Sequence, residues 1–244
     1  VKKVTTTKDN KTTTSYYHFK SILTITGCTN KGTVEKTGAG SNGFHLGGIA
    51  GTINSTYNAV EDKAEATITN CSNSGDIHNA STGEASAWTY TGGIVGYQRC
   101  KVGDISNCTN SGNITNSTKS TAGAGGIRVG GIAGGGDQPT FSDCSNTGTI
   151  KDDSASKNTE IGGICGRFTP GTKTTVTKCE NSGKIICATT TGSGVVSIGG
   201  IVGNAQSPTE FANCFNKTGS KLSNSNTAVT TEYIGGIIGY NNTK

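Results

Sequence analysis

Cysteine is the residue in this chain best placed to do chemistry, and six of its nine cysteines stand in near-copies of one segment. The copies are ITGCTNKGTV, ITNCSNSGDI, ISNCTNSGNI, FSDCSNTGTI, VTKCENSGKI and FANCFNKTGSKL, centred on Cys28, Cys71, Cys108, Cys144, Cys179 and Cys214. A thiol at a fixed place can bind a metal, attack a substrate, pair as a disulfide or fill a tight interior. Zinc sites use close pairs such as CxxC. Here the nearest cysteines, Cys100 with Cys108 and Cys179 with Cys187, have seven residues between them. Neither a metal nor a nucleophile is therefore expected. Stacked in register, neighbouring cysteines would lie about 4.8 Å apart at Cα, within disulfide range. Their side chains would all aim the same way, however, which suits a row of buried free thiols better than crosslinks.

Carboxylates give no clearer chemical signal. The residue before each cysteine runs Gly27, Asn70, Asn107, Asp143, Lys178, Asn213, with a single acid among them. Asp152 and Asp153 are adjacent and read as a solvated loop. Glu61, Asp62 and Glu65 lie with Lys63 in the longest connector and read as a hydrophilic turn. Glycoside and polysaccharide chemistry needs carboxylates, or basic groups with carboxylates, converging on one face. No such pattern is visible, so no catalytic residue, metal or cofactor is assigned. The candidates for ligand contact are aromatic: Trp88 and Tyr90 in one loop, Tyr97 after a glycine block, and Arg167 with Phe168 after another. Rings that merely cover an edge would look the same in sequence.

The elements that position these residues follow from the repeat itself. Between the cysteine segments lies a second block: GGIAG at Gly47–Gly51, GGIVG at Gly92–Gly96, GGIAG at Gly130–Gly134, GGICG at Gly162–Gly166, GGIVG at Gly199–Gly203 and GGIIG at Gly235–Gly239. Cysteine spacings of 43, 37, 36, 35 and 35 set a period near 36. Helical repeats need helix formers at a 3.6-residue spacing, whereas these segments hold Gly, Thr, Ser, Asn and β-branched residues. A propeller blade needs four strands, and each repeat shows only about three short apolar stretches. The reading is a right-handed parallel β-helix of about six coils, one repeat per coil, over residues 23–244, with residues 1–22 as an N-terminal segment whose Tyr16–Leu23 stretch could cover the open end. Within a coil, Asn30, Asn73, Asn110, Asn146, Asn181 and Asn216 are expected to turn the chain and to stack as an amide ladder. The glycine after each is expected to take positive φ. A flat threonine array of the ice-binding kind begins at Thr24-Ile25-Thr26 but fails at Glu210-Phe211-Ala212.

Composition agrees with a thin core. Only 31% of the chain is hydrophobic and 15% charged, while 38 residues are glycine. The net charge of +5 is mild, and Lys2, Lys3, Lys8, Lys11 and Lys20 carry much of it in the first twenty residues. That is not the basic face of a nucleic-acid binder. No apolar run reaches the eighteen residues of a membrane helix. The chain starts at Val1 and has no Met, which reads as a processed or trimmed form.

With the glycine block and the C-x-N-x-G strand on the page, the sequence resembles the GLUG-type repeat of secreted bacterial surface proteins, including adhesin-like proteins of gut Bacteroidetes. The resemblance runs from about Ile22 to Tyr240, with Ile where the family name has Leu. It implies an exported β-solenoid on the cell surface, outer-membrane-anchored, with an adhesive or spacer role and a host or matrix glycan or protein as partner. The repeat brings no catalytic residues. It accompanies some IgA-cleaving peptidases, which need an HExxH zinc motif, and His18, His45 and His78 form none. A carbohydrate-processing or glycan-binding β-helix is the alternative.

Overall fold

The computed structural model describes residues 2–8, 11–17, 22–39, 43–54, 65–82, 87–100, 102–118, 125–154, 156, 158–171, 173–188, 194–225 and 229–242. All described elements are strands. Lys2–Lys8 and Lys11–Tyr17 form an antiparallel hairpin. The remaining strands stack in parallel as five sheets, each of six strands, so that every repeat contributes one strand to every sheet. Residues 18–21, in the stretch expected to cover the open end, and 55–64, with Glu61, Asp62 and Lys63, lie outside the described residues.

One level of the rod shows the path. Glu65–Thr69 leads to Cys71, Ser72–Asn73 follows, then Ile77–Asn79, Thr89–Gly92 and Val95–Arg99. Five strands thus replace the three expected from apolar stretches. One addition, Ser72–Asn73 and its equivalents, escapes a hydrophobicity reading because, Phe215–Asn216 excepted, these strands carry no apolar residue and only in-register pairing marks them. The other arises because the glycine block joins two strands, Thr89–Gly92 and Val95–Arg99. The expected count of about six coils is also refined. Four levels, those of Cys71, Cys108, Cys144 and Cys179, are covered on both sides; the first and last are flanked on one side only.

The bend that turns inward both the cysteine and the apolar residue three positions before it sits between them. Asn70, Asn107, Asp143, Lys178 and Asn213 adopt φ between 51° and 56°, and Gly27 takes 66°. Left-handed backbone reverses the side-chain alternation, so that Ile68 and Cys71 are both buried although three residues apart. The expected positive φ at the glycine of C-x-N-x-G is found only at Gly219, in the repeat with the insertion. Elsewhere that glycine is needed for space: a Cβ on Gly112 would meet the Gly75 carbonyl oxygen at 2.0 Å.

Two motifs that alternate in sequence meet across the interior. A Cβ on Gly93, in the glycine block, would lie 2.5 Å from Cγ of Asn110 and 2.1 Å from the Gly131 oxygen. The same contact recurs between Gly131 and Asn146, Gly163 and Asn181, and Gly200 and Asn216. Each asparagine therefore fills the room left by a missing side chain. The asparagines form a continuous row: Nδ2 of Asn30, Asn73, Asn110, Asn146 and Asn181 donates to Oδ1 of the next at 2.7–2.9 Å. Each of these amides also donates to the carbonyl two residues on, as Asn110 does to Gly112 at 2.9 Å. Buried amides satisfied this way contribute about 1 kcal/mol per bond, and leaving one unpaired costs more.

The apolar residues fall into two columns. One holds Ile68, Ile105, Phe141 and Val176 with the ladder cysteines and Ile94, Ile132, Ile164 and Ile201. The other holds Ile77, Ile114, Ile150 and Ile185 with Val129, Ile161 and Ile198. The cysteines are in the thiol form, not joined as disulfides. Of the ladder set, Cys28 is exposed and Cys214 half-buried, while the other four are buried. Each of these six sulfurs faces a backbone carbonyl, Cys108 reaching Ser106 at 3.2 Å. Hydrogen bonds from neighbouring thiols, then burial, raise Cys144 and Cys214, and the same contacts lower Cys108 and Cys179. Burial, and more weakly Asp104 and Asp143, oppose that lowering at Cys108 and Cys179.

Candidate functional site

The sheets before and after the glycine block carry two outward columns of side chains. The first runs His45, Tyr90, Arg128, Glu160, Ser197, Tyr233. The second runs Thr52, Tyr97, Gly135, Arg167, Asn204, Tyr240. Strand alternation dictates this, since each lies one residue from an inward position, aliphatic or glycine in every case but Tyr90, whose neighbour is Thr91. Four of the five candidate contact residues, Trp88, Tyr90, Tyr97 and Arg167, lie on or beside this face.

Tyr90 and Tyr97 stack with ring centres 4.3 Å apart, and His45 meets Tyr90 edge-on at 5.0 Å. Burial lowers the affinity of His45 for its proton and raises the pKa of Tyr90. The Tyr97 hydroxyl donates to Asp137 at 2.6 Å; burial, then that bond, push its pKa far up. Next along the face, Arg128 donates from Nε to Glu160 at 2.8 Å and from Nη1 to the Tyr90 hydroxyl. The Trp88 ring lies over the Arg128 guanidinium at 3.7 Å, a cation–π contact in a nearly dry setting. Glu160 also accepts from Arg167 at 3.1 Å and from Nδ2 of Asn204 at 2.6 Å. Arg167 donates further to Gln206.

Beyond this network the face opens into a cleft of about 280 Å³, lined by Trp88, Glu160, Arg167, Asn204, Tyr233 and Tyr240, with Asn158, Val195 and Gln206 at its margins. In the first column the small, buried Ser197 stands between Glu160 and Tyr233. Tyr233 and Tyr240 pair at 4.5 Å and form one wall. The arrangement offers aromatic faces, amide donors and acceptors, and one guanidinium.

Three expectations are corrected. Phe168 is fully buried and packs on Phe141 at 5.9 Å, so it contributes core and no contact surface. The two-residue period of a strand sends it to the face opposite Arg167. Tyr90 is only 7% exposed, so its ring supports the face more than it offers a surface. Asp152 lies in the strand Ile150–Asp152, not in a solvated loop, and is fully buried with Asn116 donating to it at 2.8 Å. Glu160, Arg128, Asn204, Gln206, Tyr233 and Tyr240 were missed. The signal for most of them was the column two residues before each GG pair, or the residue just after each block. Among the described residues no group of three His, Cys, Asp or Glu side chains could hold a metal, and no helix is long and apolar enough to cross a membrane.

The comparisons with known proteins place this geometry. The model of the GLUG motif matches residues 89–115 and 125–151, each match joining a glycine block to a C-x-N-x-G strand. The chain carries two GLUG motifs. Among solved structures, the chain is similar to a Bacteroides ovatus protein described as a candidate immunoglobulin A1 protease, at 16% identity with a TM-score of 0.57. The likeness covers 91% of this chain and 66% of that one, and at this identity it concerns the β-solenoid fold. No curated protein matches the sequence.

Proposed function

We propose that this GLUG-repeat solenoid is a non-catalytic binding module of a secreted or cell-surface protein, and that the cleft beside Trp88, Tyr233 and Tyr240 contacts a host or matrix glycan. The observation that carries the reading is the pairing of aromatic walls with a polar floor on a rigid stack of strands. Sugars present apolar C–H faces and hydroxyl rims, and this lining offers a partner for each. The rest of the rod serves as spacer and support.

A carbohydrate-processing reading has one group in its favour, Glu160. Glycoside cleavage calls for two carboxyl groups flanking the bond. Glu160 is the one carboxylate in the cleft lining, and three donors already occupy its oxygens. Binding is the stronger reading.

A glycan array with the whole chain tests it, followed by titration of the best ligand. Trp88→Ala and Tyr240→Ala are expected to weaken binding by about tenfold or more each, and Tyr240→Ala to leave the unfolding midpoint nearly in place. Unchanged affinity in both variants, or release of reducing sugar from any glycan bound, would overturn the proposal.

A further inference from the structure

Charge at the cleft does not balance. Arg128 and Arg167 face a single carboxylate, Glu160. The next acid along the face, Asp137, is engaged by Tyr97 at 2.6 Å and by Arg99 at 3.7 Å. Arg128 is closed off by Glu160, the Tyr90 hydroxyl and the Trp88 ring, with its side chain 5% exposed. Arg167 is the opposite case: it lines the cleft and its side chain keeps 15% exposure. Its Nη1 turns inward to Glu160 and its Nη2 to the neutral Gln206. Burial, with Arg128 nearby, works against its charge, while Glu160 and, less strongly, Tyr90 work for it. A guanidinium cannot shed its proton in such a site, so the surplus charge stays and favours an anion.

The walls state what kind of anion. A bare inorganic ion would use Arg167 and leave Tyr233 and Tyr240 without a role. These rings, paired at 4.5 Å, form a hydrophobic shelf beside the guanidinium. Asn158, Asn204 and Gln206 supply amides around it. The cleft volume of about 280 Å³ suits one sugar ring better than a chain of them.

We infer that the cleft takes an acidic sugar, a hexuronate or sialate residue of a glycan, with its carboxylate at Arg167 and its ring against Tyr233 and Tyr240. This rests on the glycan-binding reading and narrows it to a ligand class. A carboxylate on Arg167 would gain a charge-assisted hydrogen bond and neutralise the surplus, which a neutral sugar cannot do.

Calorimetric titration of the full chain would use three probes: a glucuronate- or sialate-terminated oligosaccharide, the same oligosaccharide with its carboxyl reduced to the alcohol, and inorganic phosphate. The acid should bind about tenfold or more tighter than the alcohol, and its affinity should fall with added salt. In Arg167→Gln that preference should shrink to about twofold, while Arg167→Lys should keep part of it. The ratio of acid to alcohol is measured on the native chain, so it stands even if a variant folds poorly. Equal binding of acid and alcohol would end the acidic-sugar inference and leave glycan binding intact. Phosphate binding as tightly as the acid would end it too, since the rings would then be irrelevant. No binding by either saccharide would overturn both this inference and the function proposed above.

Discussion

Asp152 stands in register with Asn116 on one side and Cys187 on the other, and Asn79 and Asn224 occupy the same position two levels away in each direction. Its oxygens accept from Asn116 at 2.8 Å and Thr159 at 3.2 Å, together with the Ser154 amide. Burial nevertheless outweighs these bonds and raises its pKa. A carboxyl with a raised folded pKa binds its proton more tightly folded than unfolded. Stability therefore falls as pH rises from the unfolded value, 3.8, through the folded one. Asp152→Asn keeps the shape and removes the buried charge. It should raise stability at pH 7 by about 1 kcal/mol, a gain that fades as the pH is lowered toward 4. Denaturant melts of both proteins across that range would check this; a variant less stable at pH 7 would show that the carboxylate's hydrogen bonds outweigh its burial. The sequence hid this residue because DD looks like a solvated pair, and only strand alternation separates buried Asp152 from Asp153, which reaches Lys151 at 2.6 Å.

At the scale of the element, the glycine block is defined by what approaches it. A Cβ on Gly200 would meet the Gly236 oxygen at 2.0 Å and Cγ of Asn216 at 2.5 Å, yet the equivalent Gly236 in the last level has nothing within 4 Å. Identical sequence positions thus differ only by the presence of a next coil. Gly200→Ala should destabilise the chain by about 3 kcal/mol or more, or prevent folding, while Gly236→Ala should cost under about 1 kcal/mol. Urea melts of the pair decide it; similar losses would mean that glycine acts through chain conformation alone. The alternation of the two motifs was legible from spacing, as was the inward role of Ile and Cys. What spacing could not show was that the motifs touch, because Gly93 and Asn110 meet through a fold-level turn. Nor could it show which residue bends left-handed. The column Gly27, Asn70, Asn107, Asp143, Lys178, Asn213 reads as chemistry if searched for acids, and as backbone only once its φ is known. A lysine there, at φ 51°, offers no compositional hint.

For the whole molecule, stacking turns a one-dimensional repeat into two kinds of column. Inward columns repeat the same residue types, which is why Ile, Cys, Asn and Gly announced the fold. Outward columns vary from level to level, and the proposed ligand contacts gather where they do so. Tyr90, Arg128, Glu160 and Tyr233 come from four different repeats and meet only because every coil is in register. Trp88, Tyr97 and Arg167 could be suspected singly from their types. Their convergence, and the burial of Phe168 next to Arg167, follow from register and alternation, which motif searching does not weigh. On the proposed function, ligand recognition sits on this one face and nowhere else along the rod. Amide hydrogen–deuterium exchange of the whole chain, with and without a glycan selected on the array, tests it most directly. The account predicts slower exchange confined to peptides within 87–99, 158–168, 195–206 and 231–242. Protection centred instead on the strands before the cysteines, such as 102–106 and 174–177, would contradict it.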